Sequence, residues 1–256
     1  MLIAAAVCPH PPLLIPAALG AAGDPPPALS AVGDACDAAV RALAAAAPDL
    51  IAVVGGGPAS REYRPGAAGT LAGYGVPVTV GEGEPVLPLS LTVGRWLLGR
   101  AGIGTGPGSR GHGLPGHGPP PPGRGPRVLL QAVDQQSSAG ACVKLGTAIA
   151  ARAPRVALLA MGDASARRAR DIEGAPDPRA QDYDEEVAEA LAAADARWLG
   201  RLDAAADREL MVAGRAAWQV LAGAADGTRM CGRLRCMASP YGVTYLVASW
   251  EETGAG

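Results

Sequence analysis

Three histidines are all that 256 residues provide for imidazole chemistry: His10, His112 and His117. His10 stands in Val7-Cys8-Pro9-His10-Pro11-Pro12, directly after the apolar run Leu2 to Val7. It is therefore expected to project from the end of the first strand, where an imidazole can ligate a metal or move a proton. The competing reading is a structural histidine whose ring nitrogens bond to loop backbone. His112 and His117 fall in a stretch from Gly104 to Arg127 that has no apolar periodicity, and 104–127 is read as a mobile loop. A metal held there would have to order the loop at about 1–2 kcal/mol per residue, which disfavours both histidines as ligands.

Other polar and glycine-rich residues recur just after apolar runs. Gly55-Gly56-Gly57-Pro58-Ala59-Ser60 has backbone N–H groups that can cradle an anion, but it lacks both the P-loop ending and the dinucleotide-binding spacing, so a tight turn is the plainer reading. Gly162-Asp163-Ala164-Ser165-Ala166-Arg167-Arg168 reads either as an ion-pair cluster that fixes its loop or as an anion-binding edge. Asp182, Asp184, Glu185 and Glu186 are assigned to helix capping, where negative charge suits the dipole. Cys8, Cys36, Cys142, Cys231 and Cys236 form no CxxC pair, and an odd count does not suit an all-disulfide framework. They are expected to be free thiols.

The elements that must position these residues alternate. Strands are expected at Leu2 to Cys8, Leu50 to Gly55, Val76 to Val80, Val128 to Val133, Arg155 to Met161 and Val243 to Trp250. Helices are expected at Ser30 to Ala47, Ser90 to Arg100, Ser138 to Ala153, Asp182 to Ala194 and Asp203 to Ala225. Ser30, Ser90 and Ser138 are placed as N-caps, and Asp182 with Glu185 as a capping box. This alternation implies βαβ units and a three-layer α/β/α fold with a mainly parallel or mixed central sheet, in one domain spanning 1–256. In such sheets ligands collect outside the carboxyl ends of the strands. The expected pocket residues are His10, Gly56, Gly57, Ser60, Asp163, Ser165 and Arg167.

Composition excludes several partner classes. A net charge of −2 with a single lysine, Lys144, offers no clustered basic face for nucleic acid. Leu2 to Val7 is too short for a signal sequence or a membrane span, which points to a cytoplasmic protein without membrane association. With 49% apolar residues and no Phe, the core must be built from Ala, Val and Leu. Trp198 or Trp250, if exposed, would suit a homo-oligomer.

Cys8-Pro9-His10-Pro11-Pro12-Leu13-Leu14-Ile15-Pro16 resembles the N-terminal segment of the class III extradiol ring-cleavage dioxygenases, the LigB-like superfamily. Leu158 to Ser165, Tyr183-Asp184, Gly214 to Gly223 and Ser239 to Val243 are similar to segments of its uncharacterised actinobacterial-type members. The resemblance implies an α/β sheet and, in active members, Fe(II) held by two histidines and a carboxylate, with open positions for a catecholate and dioxygen. His10 matches the first ligand. The second histidine would fall at Gly55 to Gly57, the carboxylate at Gly214 with Glu209 nearby but out of register, and the acid/base histidine at Ala166. The expectation is a catalytically degenerate LigB-like protein that binds no cofactor and keeps a pocket for a small aromatic or anionic ligand. Two alternatives are an Fe(II) dioxygenase with an atypical set of His10, a loop histidine and Asp163 or Glu251, and an enzyme or binder acting on a small anionic metabolite.

Overall fold

The computed structural model describes residues 1–22, 24–104, 125–168 and 176–254; His112, His117 and most of the 104–127 segment lie outside them. In chain order the first half comprises β1 (Leu2–Cys8), α1 (Pro27–Ala45), β2 (Leu50–Gly57), β3 (Arg61–Tyr63), β4 (Ala67–Thr70), β5 (Thr79–Val80), β6 (Glu82–Pro85) and α2 (Leu89–Arg100). The second half comprises β7 (Arg127–Asp134), α3 (Ala139–Ala150), β8 (Val156–Met161), α4 (Arg179–Ala192), α5 (Ala196–Leu199), α6 (Ala204–Leu210), α7 (Arg215–Ala224), β9 (Met230–Ala238) and β10 (Tyr245–Glu252).

Seven strands form one mixed sheet in the order β3-β7-β2-β8-β1-β10-β9. The four central strands β7, β2, β8 and β1 are mutually parallel, while β3 at one edge and the β10–β9 pair at the other run antiparallel to their neighbours. Every residue of β1 and β8 is buried, because both sheet faces are covered. Residues of β1 feed two cores, alternating from Ala4 onward past a register shift between Leu2 and Ala4: Ile3, Ala4, Ala6 and Cys8 share the core of α1 and α2, whereas Leu2, Ala5 and Val7 share that of α3, α4 and α7. The fold is a three-layer α/β/α sandwich. A second, three-stranded sheet, β5-β4-β6, packs against α2.

Several sequence expectations need correction. Arg127 opens β7, so it is not part of the 104–127 loop. Only Thr79–Val80 of the Val76 to Val80 run is extended, and β3, β4, β6 and β9 carried too little apolar periodicity to be read. Ser30 and Ser90 are not caps: α1 and α2 begin after Pro26 and Pro88 with no side-chain cap, and α1 carries Pro27 at its first position. The Ser90 hydroxyl instead donates to the Gly56 carbonyl at 2.7 Å. Ser138 does cap α3, accepting from the Ala141 N–H. Asp182 makes no capping box, since α4 starts at Arg179. The Asp203 to Ala225 helix is two helices, because Met211 adopts a left-handed conformation (φ 56°) that ends α6.

Glycine makes the helical layer thin where α3 crosses α7. A Cβ on Gly146 would overlap the Val220 carbonyl, and one on Gly223 would overlap the Val143 carbonyl. All five cysteines are free. Burial pushes the Cys36 thiol well above its ordinary value, reinforced by its hydrogen bond with the Cys8 side chain, so Cys36 stays a thiol at neutral pH. Trp250 is buried and donates its indole N–H to the Leu191 carbonyl at 2.7 Å, which removes it as a surface for oligomerisation. Trp198 is half-buried against the same core. No helix among the described residues is long and apolar enough to cross a membrane.

Candidate functional site

The parallel strands deliver His10, Gly57, Asp134 and Gly162 to one edge of the sheet. His10 is 8% exposed, and its backbone N–H donates to Asp163 Oδ1 at 2.8 Å. The same oxygen lies 3.6 Å from His10 Nδ1, beyond hydrogen-bonding range, and Nδ1 is buried without a partner. Asp163 therefore faces His10, and the expected ion pairing with Arg167 or Arg168 is not its arrangement. Arg167 lies in the field of Asp177 instead, and the Arg168 N–H donates to the Gly242 carbonyl. Sequence reasoning missed Tyr245. The β1–β10 register, Ala4 with Glu251 through Val7 with Ala248, carries Tyr245 to the level of the chain leaving β1. Burial pushes its hydroxyl well above the usual tyrosine value, reinforced by Asp163 and Tyr241.

The loop bearing Asp163 is held from below. Ser165 is fully buried, donating its N–H to Asp184 Oδ1 at 2.9 Å and its hydroxyl to Asp184 Oδ2 at 2.7 Å. Asp184 is therefore an internal anchor and not a helix-start charge. Burial pushes its carboxyl upward, against lowering by hydrogen bonds from Thr244 and Ser165. Ser165 is occupied structurally, which removes it from the pocket set. On the other side the Asp163 carbonyl accepts the Ala213 N–H at 3.1 Å, so the loop also braces the α6–α7 elbow.

Gly56 and Gly57 belong to β2, paired with Val133 and Asp134 of β7, and are not an anion-binding loop. A Cβ on Gly57 would lie 2.9 Å from Ala132 Cβ, which has no rotamer to give, whereas one on Gly56 would displace only the exposed Gln135 side chain, 2.7 Å away. Ser60 is exposed and accepts the Asp134 N–H at 3.0 Å, tying β2 to β7.

These residues do not fit an Fe(II) centre of two histidines and a carboxylate. Among the described residues no group of three His, Cys, Asp or Glu side chains is placed to hold a metal ion. A Cβ on Gly214 would overlap the fully buried Trp218 ring, leaving no room for a carboxylate side chain. Glu209 is exposed and paired with Arg179 at 2.8 Å. Glu251 stands opposite Ala4, six residues before His10 and thus about 20 Å back along the strand. His112 and His117 lie outside the described residues.

The structure instead opens a cleft of about 300 Å³ between the chain leaving β7 and the α6–α7 elbow, with Gln135, Gln136, Asp207, Arg208, Met211 and Arg215 among its lining. None of the seven expected pocket residues lines it. Its floor is a buried polar network that no sequence pattern announced: Arg215 Nε lies 2.6 Å from Asp207 Oδ2, the Tyr183 hydroxyl donates to Asp207 Oδ1 at 2.6 Å, and Arg215 also donates to Gln219 and to the Ser137 and Gln135 carbonyls.

Comparison with known proteins adds little. No protein-family model matches the chain, and no curated protein matches it. Among solved structures it is similar to an uncharacterized protein from Escherichia coli K12, at 13% identity and a TM-score of 0.46, over 97% of this chain and 99% of that one. A likeness at that level adds nothing about function to the strand order itself.

Burial pushes the Asp207 carboxyl up to about 6, against lowering by Tyr183 and Arg215. Because this folded-state value lies above the unfolded value of about 4, folding favours the protonated form. The stabilisation is complete below pH 4 and is lost as the pH rises through 6. Urea unfolding between pH 4 and 7 is expected to show Asp207→Asn removing a pH-dependent component of roughly 2–3 kcal/mol. A difference between the two proteins that stays constant across this range would mean that Asp207 does not titrate there.

Proposed function

We propose that this chain is a LigB-like protein that has lost most of its Fe(II) site and acts as a binding protein for a small molecule at the carboxyl ends of the central strands. The observation that carries the reading is the surroundings of His10. Asp163, the carboxylate beside it among the described residues, is engaged by the His10 backbone N–H, and the space a side chain at Gly214 would need, the position matched to the family's carboxylate, is filled by the Trp218 ring. Ring cleavage needs a metal held with open positions and a group to take the substrate proton. Gly55 to Gly57 and Ala166 provide no imidazole for either task.

Anaerobic reconstitution with Fe(II), followed by metal analysis and oxygen-uptake assays on a panel of catechols, tests this. The expected result is no stoichiometric iron and no oxygen consumption above that of free Fe(II). Stoichiometric iron with two imidazole ligands, or catechol-dependent uptake abolished by His10→Ala, would overturn it.

A further inference from the structure

β9 is the last strand on one side of the seven-stranded sheet, bonded to β10 along its inner flank. Its two faces are covered by α1 and α4, and Gly232 lets α4 come so close that a Cβ there would lie 2.7 Å from the Ala192 carbonyl. Its outer flank is different. Among the described residues no backbone group meets the N–H and C=O groups that face away from β10. Nine residues make a long open edge, since natural edge strands are kept short or are obstructed. β3, at the opposite edge, has three.

The obstruction on β9 is one bulge and a row of like charges. Arg235 is the bulged residue, the extra position between Leu234, opposite Ala248, and Cys236, opposite Val247. Regular pairing on the outer flank is thereby confined to Met230 to Leu234. β9 carries no acidic residue, and among the described residues neither Arg233, Arg235 nor the preceding Arg229 forms an ion pair. Arg235 Nε donates to Ser249 Oγ at 2.8 Å, and Ser249 stands opposite Arg233, so both arginines reach one face. Arg229, four positions before Arg233, shares that face by strand alternation. Glu251 stands opposite Cys231, diagonal to Arg229 and Arg233, and pairs with neither.

These charges select what can be added. If β9 paired antiparallel with a second copy of itself, every register centred on a residue from Cys231 to Arg235 would set one arginine directly opposite another, and like charges so placed are destabilising. For a strand with carboxylates at alternate positions the same contacts become favourable. We propose that the outer flank of β9 accepts an extended acidic segment of another protein as an added strand along Met230 to Leu234, its backbone bonded to the open N–H and C=O groups and its carboxylates set against Arg229 and Arg233. Neither His10 nor a small ligand at the strand ends takes part in this binding.

The test is fluorescence anisotropy of the full chain at low ionic strength with three labelled peptides: acetyl-Thr-Glu-Val-Glu-Val-Glu-Thr-amide, the same peptide with Lys for every Glu, and the acidic peptide with its backbone N–H groups methylated. The acidic peptide is expected to bind and the other two are not. Arg233→Gln, which adds no repulsion, should weaken the acidic peptide about threefold. The double variant Arg229→Glu/Arg233→Glu should weaken it about tenfold or more and gain binding of the lysine peptide. Both side chains are exposed, so folding is preserved. Equal binding of the methylated peptide would mean ionic attraction without an added strand and would overturn the assignment. So would an acidic peptide that does not bind or is indifferent to both variants, a single-stranded oligonucleotide of equal charge that binds more tightly, or a dimer of the chain alone that the acidic peptide dissociates.

Discussion

Asp184→Ala is expected to cost about 3–5 kcal/mol of folding stability, the largest effect of any single side-chain truncation near the strand ends. The carboxylate accepts both the N–H and the hydroxyl of Ser165, and both residues are fully buried. Truncation leaves a buried backbone donor and a buried hydroxyl without partners, and neither can turn to water. For a chain of this length the melting temperature should fall by about 2–4 °C for each kcal/mol lost. Asp184→Asn should cost much less, since an amide can still accept the Ser165 N–H and donate to its hydroxyl, and it no longer buries a charge. Urea titrations and amide exchange at Ala164 to Ala166 check both variants. If Asp184→Ala melts with the parent protein, Asp184 is not the anchor of the His10–Asp163 loop.

The second large effect is expected from one methyl group. Gly146→Ala replaces a poor helix former with the best one, a gain of about 1 kcal/mol in an isolated helix. Here the new Cβ meets the Val220 carbonyl across the α3–α7 crossing, a backbone atom that no rotamer change can move. Overpacking of this kind costs about 1–3 kcal/mol and sometimes more, so after the propensity gain a net loss of up to about 2 kcal/mol is expected. Gly140→Ala on the same helix is the control. Nothing lies within 4 Å of its Cβ position, and it should stabilise by about 0.5 kcal/mol. Adding Gly223→Ala to Gly146→Ala should cost less than Gly223→Ala alone, because the first methyl already separates the helices. Chemical denaturation of the four variants measures this directly. A stabilised Gly146→Ala would mean that α3 and α7 do not approach so closely.

The two predictions fall on opposite sides of what can be read along the chain. Continuous apolar runs such as Leu158 to Met161 made the buried parallel strands legible, since a strand covered on both faces leaves no polar alternation. The placement of His10 at a strand end was legible for the same reason. Gly146 and Gly223, by contrast, look like ordinary helix-weakening residues until the two helices are seen to cross. The short edge strands β3 and β4 were not legible because their pairing depends on neighbours distant in sequence. The end of α6 was hidden because nothing in Met211-Val212-Ala213-Gly214 forbids a helix. Asp184 was read as a capping charge because its spacing from the helix start suits one, and its burial is set by Ser165 and Thr244, which are far from it in sequence.

The residues alone determined the α/β class, the parallel core strands and the scarcity of imidazole: periodicity and composition are local properties of the chain. Which polar groups meet was decided only by tertiary packing. Asp163 turns to His10, Trp218 fills the space beside Gly214, and Asp207, Tyr183, Arg215 and Gln219 gather from three helices under a cleft that includes none of the seven expected pocket residues. Hydrogen bonds and van der Waals contacts act over a few ångströms in space, and the partners here are separated by up to 153 positions in the chain.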